Sequence, residues 1–205
     1  MNVKKRQTIA VDIDDVLARS AEGFAAFSNQ QWGGTMTADQ YTEEWAVAWG
    51  VDLDEALRRA EEIHELDVFG RYAYFEEAVP VLRGLKKKFN LVAATSRRAI
   101  IRSGTDAWLQ RHFPDIFRAV HYAGMWDSNK DVAHKLKQTK AELCKEIGAD
   151  YLIDDQLKHC LAVADAGVTS LLFGDYSWNR QSILPKNVIR VHTWQQVKEY
   201  FDAQS

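Results

Sequence analysis

Short, nearly uninterrupted apolar runs recur along this chain at 8–11, 90–94, 117–123, 151–153, 168–173 and 188–191, with helical patterns between most of them. That alternation limits the possible folds more than any other feature. A strand that is apolar along its whole length leaves no face for water. Such strands, separated by helices, make a parallel sheet covered on both sides, an α/β fold. Helical patterns fall at 75–89, 99–113, 140–147 and 155–166, and Gly148 and Gly167 close the last two as C-caps. In open sheets of this kind the ligand site lies at the carboxyl ends of the strands.

Residues 12–89 depart from the pattern, because no convincing strand lies among them. Helices are expected at 18–31, 38–48 and 53–66, separated by Gly33-Gly34 and Gly50. A crossover needs only about 10–12 residues. Residues 19–74 therefore read as a small helical insertion over the C-terminal edge of the sheet, a cap reached directly from strand one. The core is then 1–18 with 75–205, which suits one domain of 205 residues with an insert.

The net charge of −3 gives no broad basic field, so a nucleic acid polymer is not an expected partner. No apolar run approaches the ~18 residues of a membrane span. Acids at 12, 14 and 15 interrupt the first apolar stretch, which excludes it as a signal-peptide core. Cys144 and Cys160 have no metal-ligand spacing and read as reduced thiols of a cytoplasmic protein. A monomer or homodimer is expected.

Four polar features fall at strand or helix edges. Asp12-Ile13-Asp14-Asp15-Val16 follows the first strand. Thr95-Ser96-Arg97 follows the second. Lys140 opens a helix. Asp154-Asp155 ends the strand at 151–153. Four carboxylates (Asp12, Asp14, Asp154 and Asp155) crowded into one pocket would repel one another and raise a pKa among them. A hard divalent cation relieves that, and an all-oxygen donor set selects Mg²⁺. The Thr95 hydroxyl and the Lys140 ammonium supply donors for phosphoryl oxygens. The set holds both a metal site to polarise phosphorus and a carboxylate to attack it.

These four pieces, in this order, resemble the four motifs of the haloacid dehalogenase superfamily, in its aspartate-nucleophile phosphatase branch, across residues 9–172. The resemblance implies a Rossmann-like three-layer α/β/α sandwich and identifies the insert with a C1-type cap. It implies Asp12 as nucleophile, forming an aspartyl-phosphate, and Asp14 as acid for the leaving group and then base for water. The Asp14 carbonyl would also ligate Mg²⁺. Thr95 and Lys140 would bind the phosphoryl group, and Asp154 and Asp155 would hold the metal with Asp12. Retention of Asp14 favours phosphoryl transfer over dehalogenation, which needs no second acid. A phosphotransferase or mutase on the same site, or a non-catalytic Mg²⁺- and phosphate-binding module, are the alternatives.

Within that branch the small cap, Ala94-Thr95-Ser96 and Ile153-Asp154-Asp155 are similar to the 5′(3′)-deoxyribonucleotidases, so a small phosphorylated metabolite such as a nucleoside monophosphate is the implied substrate. Asp15 stands where that group usually has Gly, and Arg97 where it usually has Pro. Phe24, Trp32 and Trp45, with Phe27 and Trp49, are either core of the insert or a slot for a base, since base–aromatic stacking contributes about 1–3 kcal/mol. Arg97 reads as a fork for a phosphate or carboxylate. Ser96 is a phosphate ligand or a helix cap. Asp15 is a helix N-cap or a neighbour of the metal. The histidines, Trp178 and Trp194 read as structural, while Asp127, Asn129 and Asp175 are candidates for the pocket mouth.

Overall fold

The computed structural model describes residues 5–124 and 138–204; Asp127 and Asn129 lie outside them. Six strands form one fully parallel sheet: β1 (Thr8–Val11), β2 (Asn90–Thr95), β3 (Val120–Tyr122), β4 (Tyr151–Asp154), β5 (Thr169–Phe173) and β6 (Val188–Val191), in the order β3-β2-β1-β4-β5-β6. β1 is central, and the chain moves outward from it first through β2 and then through β4. That reversal opens the crevice in which doubly wound sheets hold ligands.

The continuous apolar strands divide between two faces, as the two-residue period requires. Ile9, Val11, Leu91, Ala93, Ile153 and Leu171 point to one side. There they meet α4 (Ala78–Leu85), α5 (Arg102–His112) and α8 (Trp194–Asp202) through Leu82, Trp108 and Phe201. Ala10, Val92, Ala94 and Leu152 point to the other, against α6 (Lys140–Ile147) and α7 (Leu157–Asp165) through Leu143, Cys144 and Val163. The result is the three-layer α/β/α sandwich. Both cysteines are free and buried. No helix among the described residues is long and apolar enough to cross a membrane.

Between β1 and β2 lie α1 (Ser20–Trp32), α2 (Trp45–Trp49) and α3 (Leu53–Glu65). The helix expected over 38–48 is instead a 3₁₀ turn at Ala38–Gln40 followed by the short α2. The carbonyl of Asp39, which a continuous helix would use internally, accepts from Ser177 Oγ at 2.7 Å, and Glu43 pairs with Lys158. The helix expected over 75–89 begins only at Ala78. Pro80 explains this: its missing N–H costs nothing in a first turn but breaks a helix interior. The segment expected as a strand over 117–123 shortens to β3.

Candidate active site

Asp12 is the first residue past β1, and its N–H continues the ladder to the Ile153 carbonyl at 2.9 Å. The register thus sets it beside Asp154, the last residue of β4. Asp12, Asp154 and Asp155 each offer an oxygen within 4.8 Å of the others', and all three are buried. Lys140 reaches the same place from α6. A capping box fixes that helix start: Thr139 Oγ1 accepts from Glu142 N at 3.2 Å, and the Glu142 carboxylate accepts from Thr139 N at 2.8 Å. Lys140 Nζ lies 2.7 Å from Asp12 Oδ1 and 2.9 Å from Asp154 Oδ2.

The carboxylates are not electrostatically equal. Burial, reinforced by Asp154 and Asp14, pushes Asp12 up to about 7 although Lys140 opposes it. Burial and the charges of Asp154, Asp15 and Asp12 push Asp155 well up, and burial takes Asp15 to about 8. Burial also acts on Asp154, but Lys140 and His159 override it and hold that group well below the usual range. His159 Nδ1 is 3.3 Å from Asp154 Oδ1. Burial disfavours the Lys140 charge, yet Asp12 and Asp154 keep it firmly protonated. One ammonium against three converging carboxylates leaves excess negative charge, and the donors are all hard oxygens. This set fits a divalent cation.

Asp14 lies apart from this trio. Arg97 Nη2 meets its Oδ1 at 2.8 Å and Arg97 Nε its Oδ2 at 3.1 Å. Burial alone would raise Asp14, but the Arg97 guanidinium and the Ser20 hydroxyl hold it below the usual carboxylate value. The Arg97 fork, expected for a substrate phosphate or carboxylate, is closed on Asp14. Arg97 N also donates to Thr95 Oγ1 at 3.1 Å. Asp15 accepts from Ala21 N at 2.9 Å in the first turn of α1, whose N-cap position is Arg19.

A cavity of roughly 500 Å³ opens over these groups. Asp12, Asp14, Asp15, Asp155, Ser96, Arg97 and His159 line its sheet side, while Thr95 and Lys140 lie buried behind it. Its other walls are mostly apolar: Phe24, Tyr41, Trp45, Phe69, Tyr72 and one face of α3. Phe24 and Trp45 thus reach the cavity, and their rings also pack on each other at 5.1 Å. Trp32 does not line it; the Arg59 guanidinium covers that ring at 4.8 Å. Asp175 pairs with Arg180 at 2.9 Å and does not line the cavity either. Sequence reasoning passed over His64, His159 and Tyr72 as cavity residues, and Trp178, whose Nε1 donates to Asp155 at 2.6 Å. None belongs to a local motif; folding alone turns them inward.

Solved structures share this architecture. A haloacid dehalogenase-like hydrolase from Streptococcus pneumoniae superposes with a TM-score of 0.69 at 15% identity, covering 96% of this chain and 98% of that one. A HAD-superfamily hydrolase of subfamily IA from Geobacter sulfurreducens gives 0.62 at 18%, covering 98% and 97%. A HAD-hydrolase from Bacillus subtilis, solved bound to magnesium, gives 0.66 at 13%, covering 97% and 100%. No curated protein matches the chain by sequence. The family model that matches this chain makes it a phosphoric monoester hydrolase of the haloacid dehalogenase type, and the fold agrees with that. More narrowly, the chain belongs to the family "5′ nucleotidase, deoxy (Pyrimidine), cytosolic type C protein" (NT5C), whose model matches residues 6–204.

Proposed function

We propose that the protein is a Mg²⁺-dependent phosphatase of small phosphomonoesters, nucleoside monophosphates foremost, acting through an aspartyl-phosphate on Asp12. The observation that carries this reading is the buried convergence of Asp12, Asp154 and Asp155, with Lys140 on Asp12, beneath an apolar-walled cavity. Mg²⁺ held by the three carboxylates and the Asp14 carbonyl would keep the acids ionised and withdraw charge from phosphoryl oxygens.

An Asp12 carboxylate oxygen forms a bond to phosphorus as the bond from phosphorus to the leaving oxygen breaks. Asp14 delivers a proton to that oxygen. In the free protein Asp14 is ionised, and the negative charge of an arriving phosphate raises its affinity for the proton it must give. Water then attacks phosphorus, Asp14 takes its proton, and the bond to Asp12 breaks to release phosphate. Lys140 balances charge on Asp12 throughout, and the Thr95 and Ser96 hydroxyls supply donors to the phosphoryl oxygens. Residues 19–74 act as the cap, and Phe24 and Trp45 flank the part of the substrate remote from phosphorus. Buried thiols outside any disulfide suit a reducing compartment, which supports the cytoplasm as the proposed location.

The test is turnover of p-nitrophenyl phosphate and a panel of deoxynucleoside monophosphates, with Mg²⁺ and with chelator. Activity is expected only with the metal, and Asp12→Asn is expected to abolish it with the fold intact. Undiminished hydrolysis by that variant would remove Asp12 as nucleophile.

A further inference from the structure

The loop after β5 carries an aromatic pair that touches the acid cluster on one side and the insertion on the other. Gly174 starts this loop at φ +81, and a Cβ there would stand 2.2 Å from the Tyr176 ring, so the turn needs glycine on both counts. Asn179, fully buried, locks the turn. Its Nδ2 donates to the Asp155 and Phe173 carbonyls at 3.0 and 2.9 Å, and its Oδ1 accepts from Tyr176 N at 3.1 Å. Tyr176 and Trp178 then stack face to face, their ring centroids 4.7 Å apart and their planes 1° from parallel. Tyr176 Oη donates to the Asp15 carbonyl at 2.8 Å.

We infer that Trp178 is a positioning residue for the metal site: its indole N–H sets the Asp155 carboxylate for cation binding while its ring backs the cavity wall at Tyr41. Trp178 Nε1 and Gln156 Nε2 both donate to Asp155 Oδ2, at 2.6 and 3.0 Å. Two donors on one oxygen fix the carboxylate plane and leave Oδ1 for a cation; partners of this kind commonly govern metal affinity. On its other side the Trp178 ring meets Tyr41 edge-on at 5.6 Å and 70°, and Tyr41 lines the cavity. Neighbouring Ser177 ties the same stretch down through the Asp39 carbonyl. One side chain therefore serves two groups that the chain supplies from far apart.

The assignment rests on the proposed metal dependence, and the experiment separates the two. Wild type, Trp178→Phe and Trp178→Ala are titrated calorimetrically with Mg²⁺ alone and with Mn²⁺ alone, and assayed on p-nitrophenyl phosphate at saturating Mg²⁺. Phe keeps a ring against Tyr176 and Tyr41 but loses the N–H together with the smaller ring of the indole. It is expected to weaken metal binding ~10-fold or more while leaving the substrate KM and the melting temperature at wild-type values. Ala is expected to weaken metal binding equally and to raise KM as well. Wild type that binds neither metal would overturn this assignment together with the proposed metal dependence. Wild-type binding matched within twofold by Trp178→Phe would overturn the assignment alone. So would a Phe variant that raises KM and lowers melting temperature without weakening the metal, which is the signature of packing only.

Discussion

Asp14 gives both its oxygens to Arg97, whose own side chain is 1% exposed and which also meets Thr105 Oγ1 at 3.2 Å and the Phe69 ring at 5.0 Å. A buried guanidinium with one carboxylate partner is a geometric clamp, since the planar fork fixes the carboxylate's rotation as well as its charge. The sequence reads Arg97 as a ligand for a substrate phosphate or carboxylate, whereas its contacts make it a clamp on Asp14, and the two roles separate kinetically. Arg97→Lys keeps the charge and loses the fork. A hydrogen bond to a charged group contributes about 1.5–3 kcal/mol, so kcat is expected to fall roughly 10- to 100-fold with KM unchanged. A rise in KM with kcat preserved would return Arg97 to the substrate. The residues brought together here divide by how their signal is written. Asp12, Asp154, Asp155 and Lys140 stand at strand or helix edges, so sequence position alone says they share one end of the sheet. His159 and Trp178 stand in a helix and a loop, and their approach to Asp154 and Asp155 depends on how α7 and the β5–β6 turn pack. No local pattern carries that.

At the level of elements, the turn between β1 and α1 makes a sharper demand than the helices. Asp15 adopts φ +53, the left-handed region that favours glycine and tolerates Asp. Aspartate accepts the conformation, and its carboxylate also takes the Ala21 N–H in the first turn of α1. Asp15→Gly is expected to stay within about 1 kcal/mol of wild type in urea unfolding, one hydrogen bond being exchanged for backbone freedom. Asp15→Val is expected to fall about 1–2 kcal/mol below the Gly variant, and equal stability of the two would refute the backbone argument. Strands and the closed end of α6 were legible because their causes are local: apolar continuity, and Gly148 as a left-handed C-cap. The 38–48 segment was not, because its helical pattern is interrupted by contacts to Ser177 and Lys158, more than a hundred residues away. The late start of α4 at Ala78 was written locally in Pro80, a signal that apolar period alone passes over.

For the whole molecule, folding gathers carboxylates that the unfolded chain keeps apart, and the cost depends on pH. Asp12 and Asp15 move from an ordinary value of 3.8 up to about 7 and about 8, and Asp155 moves up with them. Groups raised in this way bind protons more tightly folded than unfolded, so their contribution is complete below about pH 4 and is lost as pH climbs through 7 and 8. Asp14 and Asp154 are lowered, so their contribution is present above 3.8 and disappears only in stronger acid, outside the neutral window. His112, lowered by partial burial and by Arg111, acts in the opposite sense below its ordinary 6.5. The three raised acids outweigh it, and the metal-free protein is expected to lose melting temperature from pH 5.5 to pH 8. A divalent cation needs these groups deprotonated, so its binding releases protons and strengthens as pH rises. The melting-temperature gain on adding Mg²⁺ is therefore expected to be larger at pH 8 than at pH 5.5. Calorimetric scans with chelator and with Mg²⁺ at the two pH values measure both quantities. A metal-free melting temperature that climbs across this window, or a larger Mg²⁺ gain at the acid end, would mean that the strand-end carboxylates do not repel one another as their burial requires.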